Sequence, residues 1–266
     1  LKSVLIMSKK SLDEINGSVV VPSVYEKSFF KKFLAYSGPG ALVAVGYMDP
    51  GNWLTSLAGG SRYKYQLLSV LLLSILVAMI MQSFSIKLGV ASRLDLAQAI
   101  SVRVKRPARY LLWLLNEIAM MATDLTGVIG TALSLKMIFN LPLMWGVILT
   151  IFDVFIVLWF MCFGIRRIEV IVVIAILMVG MIFAIEVGHV HPALVQILQG
   201  FVPDKSIFTD QDKLILSLGI VGATIMPHNI YLHSSLAQSR RYDYHDFRQV
   251  KETLRFANWD SIVHLW

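Results

Sequence analysis

The sequence is short of charge and almost without cysteine. Asp, Glu, Lys and Arg make up only 15% of it, against 56% hydrophobic residues and a mean hydropathy of +0.68. That balance excludes an ordinary soluble domain. The single cysteine, Cys162, excludes an internal disulfide and a cysteine-rich metal cluster. A cleavable signal peptide is also missing from the first 32 residues, which are polar and Lys-bearing, so the first helix is expected to act as the insertion signal.

What is present is a series of long apolar windows. Six of them, at 36–60, 65–86, 108–135, 142–165, 168–188 and 213–238, approach or exceed the length of a membrane-crossing helix; about 20 residues span a hydrocarbon core of about 30 Å. The expected fold class is an all-α polytopic membrane protein. The net charge of +7 lies in alternate loops: Lys2 to Lys32, Lys87 to Arg109, Arg166 with Arg167, and Arg240 to Arg255. By the positive-inside rule this places the N-terminus and the segment after 240 in the cytoplasm, in a cell membrane, and leaves nucleic acid unneeded as a partner for the basic residues.

The expected organisation is a cytoplasmic, partly disordered tail at 1–32, a transmembrane domain at 33–241, and a cytoplasmic segment at 242–266. That last segment closes on "NWDSIVHLW", which reads as the start of a seventh helix without its remainder. "NGS" at Asn16 spells a glycosylation sequon, but a cytoplasmic tail does not meet that machinery. The loop stretch "SRLDLAQAI" predicts a short interfacial helix with Ser92 as its N-cap.

Two windows carry helix-breaking chemistry near their middles. Phe33 to Ser61 holds one ionised residue, Asp49, inside "GYMDPGNW". As one helix it would be about 43 Å long at 1.5 Å per residue, more than an untilted span needs. Pro50 disfavours helical geometry at Asp49, and Gly51 removes the remaining steric resistance to an irregular backbone. The second break is "GATIMPHN", around Pro227.

Freed backbone inside a bilayer must face protein, water or an ion, and paired discontinuous helices are the arrangement of secondary transporters. The donors on offer are the carboxylate of Asp49, the amide oxygen of Asn52, a main-chain carbonyl of Ala223 or Thr224, and the thioether of Met226. Ca²⁺ and Mg²⁺ favour all-oxygen shells, whereas a sulfur donor favours transition-metal ions.

Plainer readings stand beside these. Asp-Pro-Gly is good turn chemistry, and a lone Met is more often core filler. His228 is as compatible with a buried imidazole bonded to backbone as with proton handling. His233 follows it by five positions, so the two do not form the i, i+4 zinc pair of a metalloprotease, and His233 reads as structural. Glu117 and Asp124 are seven apart and share a helix face, which marks an ion or proton path unless an arginine pairs with them. Asp153 is a weaker candidate. No nucleophile motif or paired-carboxylate spacing supports an enzyme.

Taken together, "DPGN" (49–52), "MPHNIYLHS" (226–234) and "NEIAMMATDLTGVIG" (116–130) resemble the Nramp family of proton-coupled divalent metal transporters, its bacterial members most of all. The resemblance implies a LeuT-like inverted-repeat fold, here the first repeat plus the sixth helix, with helices 1 and 6 interrupted at the midplane. It implies uptake of Mn²⁺ and Fe²⁺, and also Cd²⁺, as transported substrate with protons and no resident cofactor. Asp49, Asn52, the carbonyl of Ala223 and Met226 would then be metal ligands, and Glu117, Asp124 and His228 would serve the proton. A divalent cation channel using the same ligands is the alternative. The sequence departs from the family in stopping near a seventh span, where members have eleven or twelve. It also has Gly127 where many members carry a glutamate three residues after the third-helix aspartate.

Overall fold

The computed structural model describes residues 16–22, 28–161 and 165–265. Cys162 and the side chain of Asp153 lie outside the described residues, as does most of the expected N-terminal tail. The architecture is all-α and polytopic, apart from a two-residue parallel pairing of Val19–Val20 (β1) with Arg240–Arg241 (β2). The helices are α1 Phe29–Tyr36, α2 Pro39–Gly46, α3 Pro50–Tyr63, α4 Leu68–Ser92, α5 Leu96–Arg103, α6 Arg106–Phe139 and α7 Leu143–Met161. They continue as α8 Ile165–Val190, α9 Leu194–Gly200, α10 Ser206–Thr209, α11 Gln211–Thr224, α12 Pro227–Leu236 and α13 Phe247–Leu265.

The apolar windows and the helices coincide with differences that have local causes. α4, α6, the Val170–Val190 part of α8 and the run Gln211–Ser239 are long and apolar enough to cross a membrane. The first window is not one helix but three, because Gly38 (φ 138°) with Pro39 interrupts it before the break at Asp49 does. Its helical part also begins at Phe29, capped by the Ser28 side chain, which accepts from Lys31 N. The expectation of Ser92 as the cap of α5 is corrected: Ser92 ends α4, and Asp95 caps α5. Asp95 Oδ1 accepts from Gln98 N at 2.8 Å while Gln98 Oε1 accepts from Asp95 N at 3.1 Å, a capping box that outcompetes a lone serine.

The chain forms two compact units. The first comprises residues 1–44, 79–114 and 227–266. Its core is Ile86, Val90 and Ala237, covered by Tyr242, Val250, Leu254 and Ala257. Here α4 approaches α12 so closely that a Cβ on Gly89 would collide with the Ser234 carbonyl. His233, 1% exposed, has Nδ1 2.8 Å from Gln82 Oε1, and Leu96 N donates to Ser234 Oγ at 2.9 Å. Polar groups between membrane helices are thereby paired internally.

The second unit comprises residues 45–78 and 115–226. Leu67, Ile207 and Ile220 form its core with Tyr63, Val70, Leu71 and Leu216. The connection between the fifth and sixth spans folds back into α9 and α10 and is tied to α11. Lys213 Nζ donates to Gln66 Oε1 and to Ser206 Oγ, each at 2.6 Å.

Gly89→Ala is expected to destabilise the protein by about 1–3 kcal/mol, since rigid backbone must move to admit the methyl. Gly60→Ala on α3, where an added Cβ meets nothing within 4 Å, should be neutral or stabilising. Thermal unfolding in detergent compares the two.

Candidate metal site

The site begins with what Pro50 does to its neighbours. α2 ends at Gly46, Met48 N donates to Val45 O at 2.9 Å, and Asp49 takes an extended backbone (φ −66°, ψ 151°) as the following proline requires. Pro50 then opens α3 at the first helical position, where its missing N–H is harmless. Asp49 is the N-cap: its Oδ1 accepts from Asn52 N at 2.6 Å, at the positive end of α3. The turn reading of Asp-Pro-Gly is thus correct as local geometry. Asn52 donates its Nδ2 to Tyr47 O at 2.7 Å, which orients the amide.

The second break follows the same logic in reverse. α11 stops at Thr224, and Ile225, with φ −95° and ψ 83°, caps it by donating to Val221 O at 2.8 Å. A helical carbonyl waits for the N–H four residues on. For Ala223 that residue is Pro227, which has none. Of the two carbonyls considered, Ala223's is therefore the one that covalent structure deprives of its donor. Met226 is buried, at 2% exposure.

These four donors belong to one unit, and helix packing sets their register. A Cβ on Gly59 of α3 would lie 3.6 Å from Ile220 and 3.9 Å from Leu216, and one on Gly219 of α11 would lie 3.4 Å from Thr55 Cγ2. Position 59 thus meets positions 216 and 220 and position 55 meets 219, an antiparallel packing that runs the start of α3 toward the end of α11.

The third span supports the first break from the side. A Cβ on Gly51 would come within 2.7 Å of Thr126 Oγ1, and one on Gly130 would collide with Pro50. Thr126 and Gly130, one turn apart on α6, were not singled out by sequence reasoning. Their signal was the small-residue spacing within "TGVIG", which allows close helix approach. Asp124 lies about 200° around the helix from Thr126, and Glu117 about 180°. The two acids therefore occupy the face away from the break and are not brought to the four donors.

Glu117 is half-buried and Asp124 exposed, and among the described residues neither has a salt-bridge partner. Gly127 is not required by packing, since a Cβ there meets nothing within 4 Å. His228, in α12, is part of the other unit. Among the described residues no three or more His, Cys, Asp or Glu side chains gather as a metal cluster. A set of one carboxylate with neutral donors would not form such a group.

Residues 40–266 match the family described as "Natural resistance-associated macrophage protein-like", Nramp. The chain belongs to the Nramp family. It is 46% identical over 255 residues to the divalent metal cation transporter MntH of Latilactobacillus sakei, covering 96% of this chain and 55% of that protein. It is 48% identical over 257 residues to MntH of Staphylococcus haemolyticus, covering 97% and 57%. The crystal structure of the Eremococcus coleocola manganese transporter, in complex with an aromatic bis-isothiourea substituted compound, is similar with a TM-score of 0.85 at 46% identity. That match covers 97% of this chain and 53% of the other. The chain thus spans about half the length of these relatives and shares the LeuT-like fold of Nramp proteins.

Gly51→Ala should lower the melting temperature of the purified protein, because the methyl meets Thr126. Adding Thr126→Ala, which deletes the Oγ1 contact, should recover about half of the loss, a coupling that a thermal double-mutant cycle reads directly.

Proposed function

We propose that this chain forms the ion-binding part of a secondary transporter that imports divalent transition-metal ions, Mn²⁺ or Fe²⁺ with Cd²⁺ also accepted, together with protons. The observation that supports the proposal is the antiparallel packing of α3 on α11 within one unit, each of which adjoins one of the two helix breaks. One anionic oxygen, an amide oxygen, a donor-deprived carbonyl and a thioether then converge on a single ion.

Each ligand has a distinct role in this reading. Asp49 supplies the charge that offsets the ion's lost hydration, Asn52 and the Ala223 carbonyl complete a polar half-shell, and Met226 selects for softer ions. One carboxylate among neutral partners binds a dication without holding it permanently. The relatives named for divalent metal cation and manganese transport favour the same cargo.

Protons take a separate route in this proposal, along the Glu117–Asp124 face of α6, with His228 coupling it to the second break. The cytoplasmic N-terminus follows from the distribution of Lys and Arg.

Asp49→Ala should abolish Mn²⁺ binding in calorimetry, while Asn52→Ala should weaken it less, since water can replace a neutral oxygen. Met226→Ala should cost modest Mn²⁺ affinity but lower the Mn²⁺ to Ca²⁺ preference about tenfold or more, with Cd²⁺ losing most. Unchanged Mn²⁺ affinity in Asp49→Ala sinks the site.

The proton route is tested in proteoliposomes. Asp124→Asn should leave equilibrium metal binding intact and reduce metal-driven acidification of the lumen. Acidification equal to the parent's would remove the third-span acids from the pathway.

A further inference from the structure

In the first unit, α13 presents a stripe of Glu252, Thr253, Phe256 and Asp260 to α1 and α2. Glu252 pairs with Lys32, Thr253 Oγ1 lies 3.2 Å from the Tyr36 hydroxyl, and the Phe256 ring stacks on Tyr36 with centroids 5.3 Å apart. At the interruption between α1 and α2 the stripe stops meeting side chains and grips backbone. Asp260 Oδ2 accepts from Gly40 N at 2.7 Å and Oδ1 from Gly38 N at 3.3 Å. From the other side the Arg240 guanidinium donates to the carbonyls of Tyr36 and Ser37 at 3.1 and 2.7 Å.

Both groups are buried, at 1% and 3% exposure, and their signs match what they hold: an anion at the N–H end of α2 and a cation at the C=O end of α1. The approach is possible only with glycine. Gly38 has φ 138°, and a Cβ on Gly40 would lie 2.8 Å from the Asp260 backbone and from Oδ2.

We propose that Asp260 is a positioning residue that latches the α1–α2 arm to α13, and that the arm opens by release of the two glycine N–H bonds. The arm leads to Asp49 through the unwound Tyr47–Met48 link, whose Tyr47 carbonyl accepts from Asn52 Nδ2. His264 Nδ1, 2.8 Å from the Asp260 carbonyl and 3.0 Å from its Oδ1, stays beside the carboxylate when those bonds open. The purpose of the motion, passage of the ion, rests on the transport reading; the latch itself does not.

The test uses Val43→Cys on α2, a fully buried position, in a Cys162→Ser background. Modification by a water-soluble methanethiosulfonate is followed in detergent without metal. Asp260→Ala should speed it at least tenfold, and Asp260→Asn, which retains an acceptor oxygen, should speed it less. Gly40→Ala should match Asp260→Ala by forcing the arm away with the carboxylate intact, and it carries the test if Asp260→Ala does not fold. Leu67→Cys, buried in the second unit, reports general loosening.

Protection of Val43→Cys equal to the parent's in Asp260→Ala and Gly40→Ala overturns the latch. So does equal exposure of Leu67→Cys, which would make Asp260 a stability residue alone. Mn²⁺ binding by the parent is measured separately; its absence would overturn the transport reading and leave the thiol result standing.

Discussion

A proline in a membrane-spanning helix removes one N–H and strands one carbonyl, and hydrocarbon offers no water to replace either. Most of what is distinctive in this chain follows from that constraint. Pro50 denies the Gly46 carbonyl its helical donor and Pro227 denies Ala223's, each in the middle of an apolar stretch. The chain answers locally where it can, with Asp49 capping α3 and Asn52 bonding Tyr47 O. The two breaks adjoin α3 and α11, which pack antiparallel on each other.

That packing depends on missing side chains. Apolar burial does not drive helices together in lipid, so close approach between small residues and the paired polar groups must. Gly59 and Gly219 let α3 and α11 meet closely enough to share a register. Gly130 and Gly51 let α6 press on the first break through Pro50 and Thr126. A broken helix supported on two sides holds its donors in place while remaining unwound, which a break facing lipid could not do.

Much of this was legible in the sequence. Long apolar windows marked the spans because burial in lipid demands length and composition and little else. The two prolines marked the breaks because their effect is covalent and local. The interruption at Gly38 was missed although Gly38–Pro39 is a local signal for it; what no local pattern announces is the pair that holds it, Arg240 and Asp260, more than 200 positions away. The cap of α5 was misplaced because Ser92 and Asp95 are both good caps, and only the reciprocal bond with Gln98 separates them. Periodicity correctly put Glu117 and Asp124 on one face of α6, but it does not say which neighbour a face meets. The Thr126–Gly130 side turned out to be the one against the break.

The cap on Asp49 bears on a problem every transport site has. A carboxylate inside a membrane is costly without a countercharge, yet a carrier's site must survive the interval after one ion leaves and before the next arrives. In the proposed transport reading the Asn52 N–H and the positive end of α3 would hold Asp49 in that interval, at a strength of about 0.5–2 kcal/mol for the cap. This is much less than a desolvated carboxylate would gain from a dication. In the proposed reading the cap orients the carboxylate without the ion, and weakly enough that the ion would still dominate when present. A lysine or arginine as permanent partner would solve the first problem and create a second, because the arriving dication would have to displace a full positive charge. An N-cap supplies only partial charge, which an arriving dication need not displace as it would a full positive charge.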